Sequence, residues 1–334
     1  MRPNIQKKPR PRITRNTAAA LREEEDGGQY FTSSSKAGLK FIPSGSPLLD
    51  LVLGGGWVLG RMINIVGDKS TGKTLLAMEA IANFLLLYPD GKVKYKEAEA
   101  AFDPDYARAL GIPIDKIDVD EDLDTVEDLF RDLEKFINKT PNNEPGLYIL
   151  DSLDSLSDEA EMGRSINEGS YNMGKPKQMS ALFRRLVRKL KQKQIAFIVV
   201  SQVRDNIGVT FGRKSTRSGG RALDFYASQV LWLAHLKTLS QTVGGVKRPT
   251  GIEVRAKCDK NKIGLPLRQC DMEIRFGYGI DDIQTGLMWL KEIGKPFHTT
   301  KGDMRPYRKE IETLVRQQWN KIETTLLPKV RKYT

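Results

Sequence analysis

Three runs along the chain are apolar almost without interruption: Met62 to Val66, Leu147 to Leu150, and Ile195 to Val200. Strands of this kind are covered on both faces, which predicts a mostly parallel sheet with helices above and below it. Elsewhere the apolar spacing turns helical. Gln178 to Gln194 places Met179, Leu182, Phe183, Leu186 and Leu190 on one side and Arg184, Arg185, Arg188, Lys189 and Lys191 on the other. A capped helix is predicted from Ser44-Gly45-Ser46-Pro47, ending at Leu53-Gly54-Gly55-Gly56. A strand at Val93 to Glu97 and a helix at Pro104 to Leu110 follow. An acidic segment, Asp115 to Asp124, then leads into a helix reaching about Asn138. Lys92, Lys94 and Lys96 make the Val93 strand so polar that it reads as a sheet edge. Further strands are predicted near Gln229 to Leu233, Gly251 to Cys258 and Gln269 to Phe276. Past Ile280 the pattern changes to short helices, where Ile311, Leu314, Val315, Trp319, Ile322 and Leu326 form one amphipathic stripe. Alternating strands and helices place the chain in the α/β class.

The first apolar run opens directly into Gly67-Asp68-Lys69-Ser70-Thr71-Gly72-Lys73-Thr74, a match to G-x-x-x-x-G-K-[ST] between a strand and a helix. Gly67 and Gly72 let successive backbone N–H groups turn toward phosphate oxygens, and the following helix adds the positive end of its dipole. Lys73 supplies a point charge for the β- and γ-phosphates, and the Thr74 hydroxyl is suited to Mg²⁺. Asp151 closes the second apolar run, where an acid completing the Mg²⁺ shell is needed. Hydrolysis also needs a carboxylate to orient or deprotonate water, and Glu97 or Glu99 could serve.

Composition narrows the setting. Among 334 residues, 54 Lys and Arg against 42 Asp and Glu leave a formal charge of +12, which favours a polyanionic partner. Met1 to Arg15 holds six cations and no acid, Asn16 to Glu25 reads as a short helix, and Asp26 to Gly38 reads as linker. A helix that short is expected to dock on something. No apolar run approaches the roughly 20 residues that span a bilayer, and the N-terminus lacks a signal-peptide core, so no membrane is expected. Cys258 and Cys270 are read as reduced thiols, and with only His235 and His298 besides, no structural zinc site is expected. The expected setting is cytoplasmic.

Residues across most of the chain also carry a resemblance. The blocks are Ser44-Gly45-Ser46 with Leu49-Asp50, Gly60-Arg61, Glu97-Ala98-Glu99 with Asp103-Pro104 and Tyr106-Ala107-Arg108, and Leu150-Asp151-Ser152. Gln202-Val203-Arg204, Ile207-Gly208-Val209, Gly219-Gly220, Phe225-Tyr226-Ala227-Ser228, Lys260-Asn261-Lys262 and Gly277-Tyr278-Gly279-Ile280 complete them. In order and spacing they resemble the RecA-type recombinases, and the departures given below suggest a phage-encoded homologue. That implies a RecA-like P-loop ATPase core over 41–282, a basic N-terminal arm that polymerises over 1–40, and a small helical C-terminal domain over 283–334. By resemblance Glu99 is the catalytic base, Asp103 and Tyr106 hold adenine, and Gln202 links the γ-phosphate to DNA-binding loops. Lys260 and Lys262 would reach a neighbouring subunit's nucleotide. Asp224 departs from the family, which usually has Lys there, and the C-terminus from Lys329 to Thr334 is basic where many bacterial members are acidic.

Two polar, glycine-rich segments read as DNA-binding loops. Gly163 to Lys177 contains Arg164, Lys175 and Lys177; Val203 to Arg221 contains Arg204, Arg213, Lys214, Arg217 and Arg221. Such segments are ordinarily just solvent-exposed, but two of them flanking Gln202 favour phosphate binding without sequence readout. The resemblance adds Met173 and Ile207 as wedges between bases, and Ser180, Arg184, Gly219 and Gly220 as phosphate contacts. The expected protein is a DNA-dependent ATPase that uses ATP and Mg²⁺. It assembles as a helical homo-oligomer on single-stranded DNA, pairs it with double-stranded DNA and exchanges strands. The alternatives are a ring-forming DNA motor and a non-catalytic filament or mediator protein.

Overall fold

The computed structural model describes residues 38–98, 102–142, 144–157, 174–205, 215–217, 220–299 and 302–327. Residues 1–37 of the expected N-terminal arm and the basic C-terminal tail lie outside them. The described chain opens with a small two-stranded sheet, β1 (Phe41–Ile42) against β2 (Trp57–Val58), bracketing helix α1 (Pro47–Leu53). Ser46 caps α1 by accepting from the Leu49 N–H, Pro47 starts it, and Gly54 ends it in the left-handed region at φ 83.

Then comes the central sheet. Five of its parallel strands are β3 (Met62–Gly67), β4 (Lys92–Glu97), β5 (Ile117–Asp120), β6 (Gly146–Asp151) and β7 (Ile195–Asp205). A short β8 (Ser215–Arg217) pairs with the end of β7. The remaining strands are β9 (Gln229–Val243), β10 (Val246–Asn261), β11 (Arg268–Arg275) and β12 (Gly279–Ile280). Across the sheet the order is β12-β11-β10-β9-β3-β7-β6-β4-β5. The six strands from β9 to β5 run parallel, and β9 to β12 form an antiparallel meander.

Helices cover both faces, as the apolar runs predict. Ile63, Ile65, Leu147, Ile149, Ala196, Ile198 and Val200 point to one side, where helix α2 (Lys73–Leu87) contributes Leu76, Ile81 and Phe84. Met62, Tyr148, Leu150, Phe197 and Val199 point to the other, against α4 (Val126–Lys139) and α5 (Gly174–Lys193). Between α2 and α4 in the chain lies the short α3 (Pro104–Ala109), and after β8 comes α6 (Gly220–Tyr226). Helices α7 (Asp282–Glu292) and α8 (Arg308–Leu326) follow β12. Leu290, Ile311 and Val315 belong to the same core as α1 and α2, whereas Ile322 and Leu326 at the end of the stripe are exposed.

Two readings of the sequence need correction. The β4 strand is not an edge: it lies between β6 and β5, and Lys94 and Lys96 are buried. The edge is β5, folded from the acidic segment, and its Asp118 and Asp120 accept from Lys94 and Lys96 respectively. Opposite charges on neighbouring strands thus neutralise each other, and a polar strand becomes an interior one. The β9–β10 hairpin is also longer than expected. From Ala234 to Thr250 its residues are exposed or half-exposed, so no apolar period marks them. Its turn is Gly244-Gly245 at φ 57 and 79, which glycine adopts without strain. Cys258 and Cys270 are free and buried, and burial pushes the Cys258 thiol up to about 12.

Candidate functional site

The parallel strands deliver their functional residues to one end of the sheet. Gly67 ends β3 directly beside Gln202 of β7 and Leu233 of β9, while Glu97 ends β4 beside Asp151 of β6. Ligands of open α/β sheets bind at this carboxyl end. The loop from Gly67 to Gly72 is packed tightly at its roots. A Cβ on Gly67 would sit 2.7 Å from the Thr71 hydroxyl and 2.8 Å from the Leu233 carbonyl. Gly72, at φ 88, starts α2 with no side-chain cap, so the first N–H groups of that helix remain oriented toward the loop. Ser70 is also left-handed, at φ 58.

Side chains then complete the cradle. Lys73 is buried and its Nζ donates to the Asp68 carbonyl at 2.7 Å; the Thr71 hydroxyl donates to the same carbonyl at 2.9 Å. The Thr74 hydroxyl donates to Asp151 Oδ2 at 2.7 Å. Tyr95, fully buried on β4, donates its phenol to that same oxygen at 2.8 Å. No motif singles out Tyr95 beforehand, because an aromatic in an interior strand ordinarily only packs. One hydroxyl and one carboxylate at the head of a phosphate loop are hard oxygen donors of the kind Mg²⁺ takes alongside phosphate oxygens. Thr74 and Asp151 therefore fit that ion.

The other expected residues divide. Glu97 is buried at 2% exposure in register with Asp151; Glu99 lies outside the described residues. Asp103 caps α3, with one carboxylate oxygen accepting from the Asp105 and Tyr106 N–H groups at 2.9 and 3.1 Å. Tyr106 packs against the core, and burial, with the charge of Glu79 nearby, raises its phenol. Glu79 itself, on α2, accepts from the Ile280 N–H at 2.9 Å, and burial raises its carboxyl. Arg164, Met173, Ile207, Arg213, Lys214 and Gly219 lie outside the described residues. Lys177, Arg204, Arg217, Gly220 and Arg221 are placed by backbone only, in α5, β7, β8 and α6. Ser180 is half-buried on α5; Arg184 is exposed and donates to the Tyr226 hydroxyl at 3.3 Å.

Lys260 and Lys262 do share a side. Both ammonium groups reach the Phe225 carbonyl, at 3.0 and 3.4 Å, and Lys260 also reaches the Asp224 carbonyl. Asn261 between them is buried, bonding the Leu53 carbonyl and the Ile263 and Gly264 N–H groups. Their position along the sheet is informative. Lys260 is level with Val230 and Asn64, and Asn261 with Gln229, whereas the phosphate loop begins level with Leu233. Three to four strand residues separate them, about 10–13 Å, so the lysines lie toward the opposite end from the cradle of their own chain.

Residues 29–281 match the family described as RecA N-terminal domain. The chain belongs to that family. It is 34% identical over 247 residues to Protein RecA of Streptomyces ambofaciens, covering 74% of this chain and 63% of that one. With Protein RecA of Treponema denticola it shares 35% over 270 residues, 79% of this chain and 63% of the other. With that of Nocardioides sp. it shares 31% over 309 residues, 88% and 84% respectively. The chain thus spans a little under two thirds of the length of the first two relatives. A crystal structure of the RadB recombinase superposes with a TM-score of 0.54 at 19% identity, over 73% of this chain and all of that one, a likeness of fold. The RecA-like fold is therefore a shared feature of this chain and its family.

Proposed function

We propose that this RecA-family chain is a DNA-dependent ATPase that polymerises on single-stranded DNA, pairs it with homologous duplex and exchanges strands in the cytoplasm. The observation that carries the reading is the placement of Gln202. It stands beside Gly67, the first residue of the phosphate loop, on the strand that leads into the second basic, glycine-rich segment. A group there can sense a γ-phosphate and pass its presence to a DNA-binding loop.

Each residue then has a task. The N-terminal N–H groups of α2 and Lys73 bind the β- and γ-phosphates, and Tyr106 with Asp103 flanks the base. Thr74 and Asp151 would hold Mg²⁺, which when bound offsets the charge that builds on the phosphates during transfer. Glu99 orients the attacking water, and Glu97 remains beside Asp151 as part of the buried floor. Basic residues of the two loops take DNA phosphates, and the arm before residue 41 joins one subunit to the next. Lys260 and Lys262 stabilise charge on the neighbouring subunit's nucleotide. Electron microscopy with single-stranded DNA and a non-hydrolysable ATP analogue tests this. Helical filaments are expected; closed rings would favour a motor, and no assembly would remove the recombinase reading.

A further inference from the structure

The turn after Asp151 contains a carboxylate, Asp154, that belongs to none of the motifs read from the sequence. Asp154 lies on a single 3₁₀ turn, Leu153–Ser155, and its Oδ2 accepts the backbone N–H of Gln202 at 2.6 Å. The need for it is topological. β6 runs abreast of β7 only as far as Leu150 opposite Val199, so Gln202 emerges beyond the end of its neighbour. A half-buried amide there requires an acceptor, and a carboxylate makes a stronger one than a carbonyl.

The turn is a firm base for it. Leu153 and Leu156 on either side are buried in the core. Ser157 is tied to the start of α4 through bonds to the Asp124 carbonyl and from the Val126 N–H, at 3.0 and 2.9 Å. One side of the bond therefore belongs to the segment carrying Asp151, and the other to the residue abreast of Gly67. Chain beyond the turn leads into the first glycine-rich segment, and chain beyond Gln202 leads into the second.

We infer that Asp154 is a positioning residue for Gln202, clamping together the roots of both DNA-binding segments next to the phosphate cradle. It touches neither nucleotide nor DNA. Without it, Gln202 keeps its side chain but loses the fixed backbone from which that side chain acts. The inference rests on the reading of Gln202 as the link between nucleotide and DNA.

The test measures ATP hydrolysis by the full chain, with and without single-stranded DNA, for Asp154→Ala, Asp154→Asn and Gln202→Ala. Removing a bond to a charged acceptor should lower DNA stimulation by about tenfold in Asp154→Ala. Its basal kcat and its KM for ATP should stay within about twofold of wild type, the split expected of lost coupling rather than lost nucleotide binding. Asp154→Asn keeps an acceptor oxygen of the same reach and should recover most of the stimulation. Equal losses of basal and stimulated rates in Asp154→Ala, unchanged stimulation, or an Asn variant no better than Ala would each overturn the clamp. Should the Ala variant fail to fold, Asp154→Asn with wild-type coupling and Asp154→Ser with reduced coupling support it, and the reverse order overturns it. Failure of the underlying reading looks different: the wild type shows no stimulation, or Gln202→Ala retains it, and the inference falls with it.

Discussion

Thr74 and Asp151 are joined by a 2.7 Å hydrogen bond across the carboxyl end of the sheet, and the Tyr95 phenol meets the same carboxylate oxygen from the strand beside it. Both donors meet the same oxygen of Asp151, and Thr74 also belongs to the phosphate loop. The carboxylate and the phenol that holds it should differ in their effect when removed.

Asp151→Asn removes the charge that a Mg²⁺ shell requires and should lower kcat for ATP hydrolysis by about 10²-fold or more. Tyr95→Phe keeps the ring and its packing but removes one hydrogen bond, so a loss of about threefold to tenfold is expected. Steady-state hydrolysis over a Mg²⁺ titration separates them. If Tyr95→Phe is as damaged as Asp151→Asn, the phenol does more than orient the carboxylate.

The Lys94, Lys96, Asp118 and Asp120 ladder yields a stability prediction. Lys96 is 3% exposed and Asp120 26%, whereas Asp118 is 65% exposed. Burial alone would raise the Asp120 carboxyl, but the hydrogen bonds from Lys96 and Lys94 hold it below the usual range. Asp120→Ala leaves a buried ammonium without its main partner and should cost about 3 kcal/mol. Asp118→Ala removes an acid exposed to water and should cost about 1 kcal/mol or less. Urea unfolding midpoints at neutral pH compare the two, and equal losses would mean the ladder is not graded by burial.

That ladder also shows what a single sequence can reveal. The parallel strands are legible because both faces of each are buried, and the phosphate loop because Gly67, Gly72, Lys73 and Thr74 sit at fixed offsets. The place of β4 is not legible from its own residues, since Lys94 and Lys96 look solvent-facing until β5 is brought alongside. Tyr95 and Asp154 escape notice for a related reason: each acts on a residue far away in sequence, Asp151 and Gln202, through a contact that only the strand order creates. The hairpin beyond Ala234 carries no periodic apolar face, so its length follows from backbone pairing alone.

Asp50 gives the pH dependence. Burial lifts its carboxyl to about 6, against hydrogen bonds from Ser44 and the charge of Arg316, which pull it down. The unfolded chain has the ordinary value near 3.8, so between about pH 4 and 6 the folded protein holds a proton that the unfolded one lacks. Stability from this group is present below pH 4 and is lost as pH rises through 6. Asp50→Asn keeps an acceptor for the Ser44 N–H, which lies 2.7 Å from the carboxylate. The variant should match wild type at pH 4 and exceed it at pH 7.5, by up to about 3 kcal/mol. Denaturant unfolding at both pH values checks this; a variant weaker at pH 7.5 would show that the ionised form is needed for docking Arg316.

The last prediction joins Lys260 and Lys262 to the cradle of a second copy. In one chain both lysines bond the Phe225 carbonyl at the end of α6, toward the opposite end of the sheet from Gly67. Three to four strand residues, about 10–13 Å, exceed the reach of one extended lysine, so their own chain's γ-phosphate is out of range without a rearrangement. A neighbour's phosphate is the remaining target if they act in catalysis, and each complete site then draws on two subunits. Lys73→Ala destroys the cradle while sparing these lysines; a double variant with Lys260→Ala and Lys262→Ala does the reverse. Each should be inactive alone. Mixed in equal amounts, an intact cradle meets intact lysines at about one interface in four, and hydrolysis should return to about a quarter of the wild-type rate. Co-assembly is confirmed by labelling each variant with a different fluorophore and measuring energy transfer on single-stranded DNA. Recovery near zero in co-assembled filaments would place lysines and cradle in the same subunit's site. Recovery that follows dilution into an excess of either variant, falling as the product of the two fractions, would establish that neither chain owns the site.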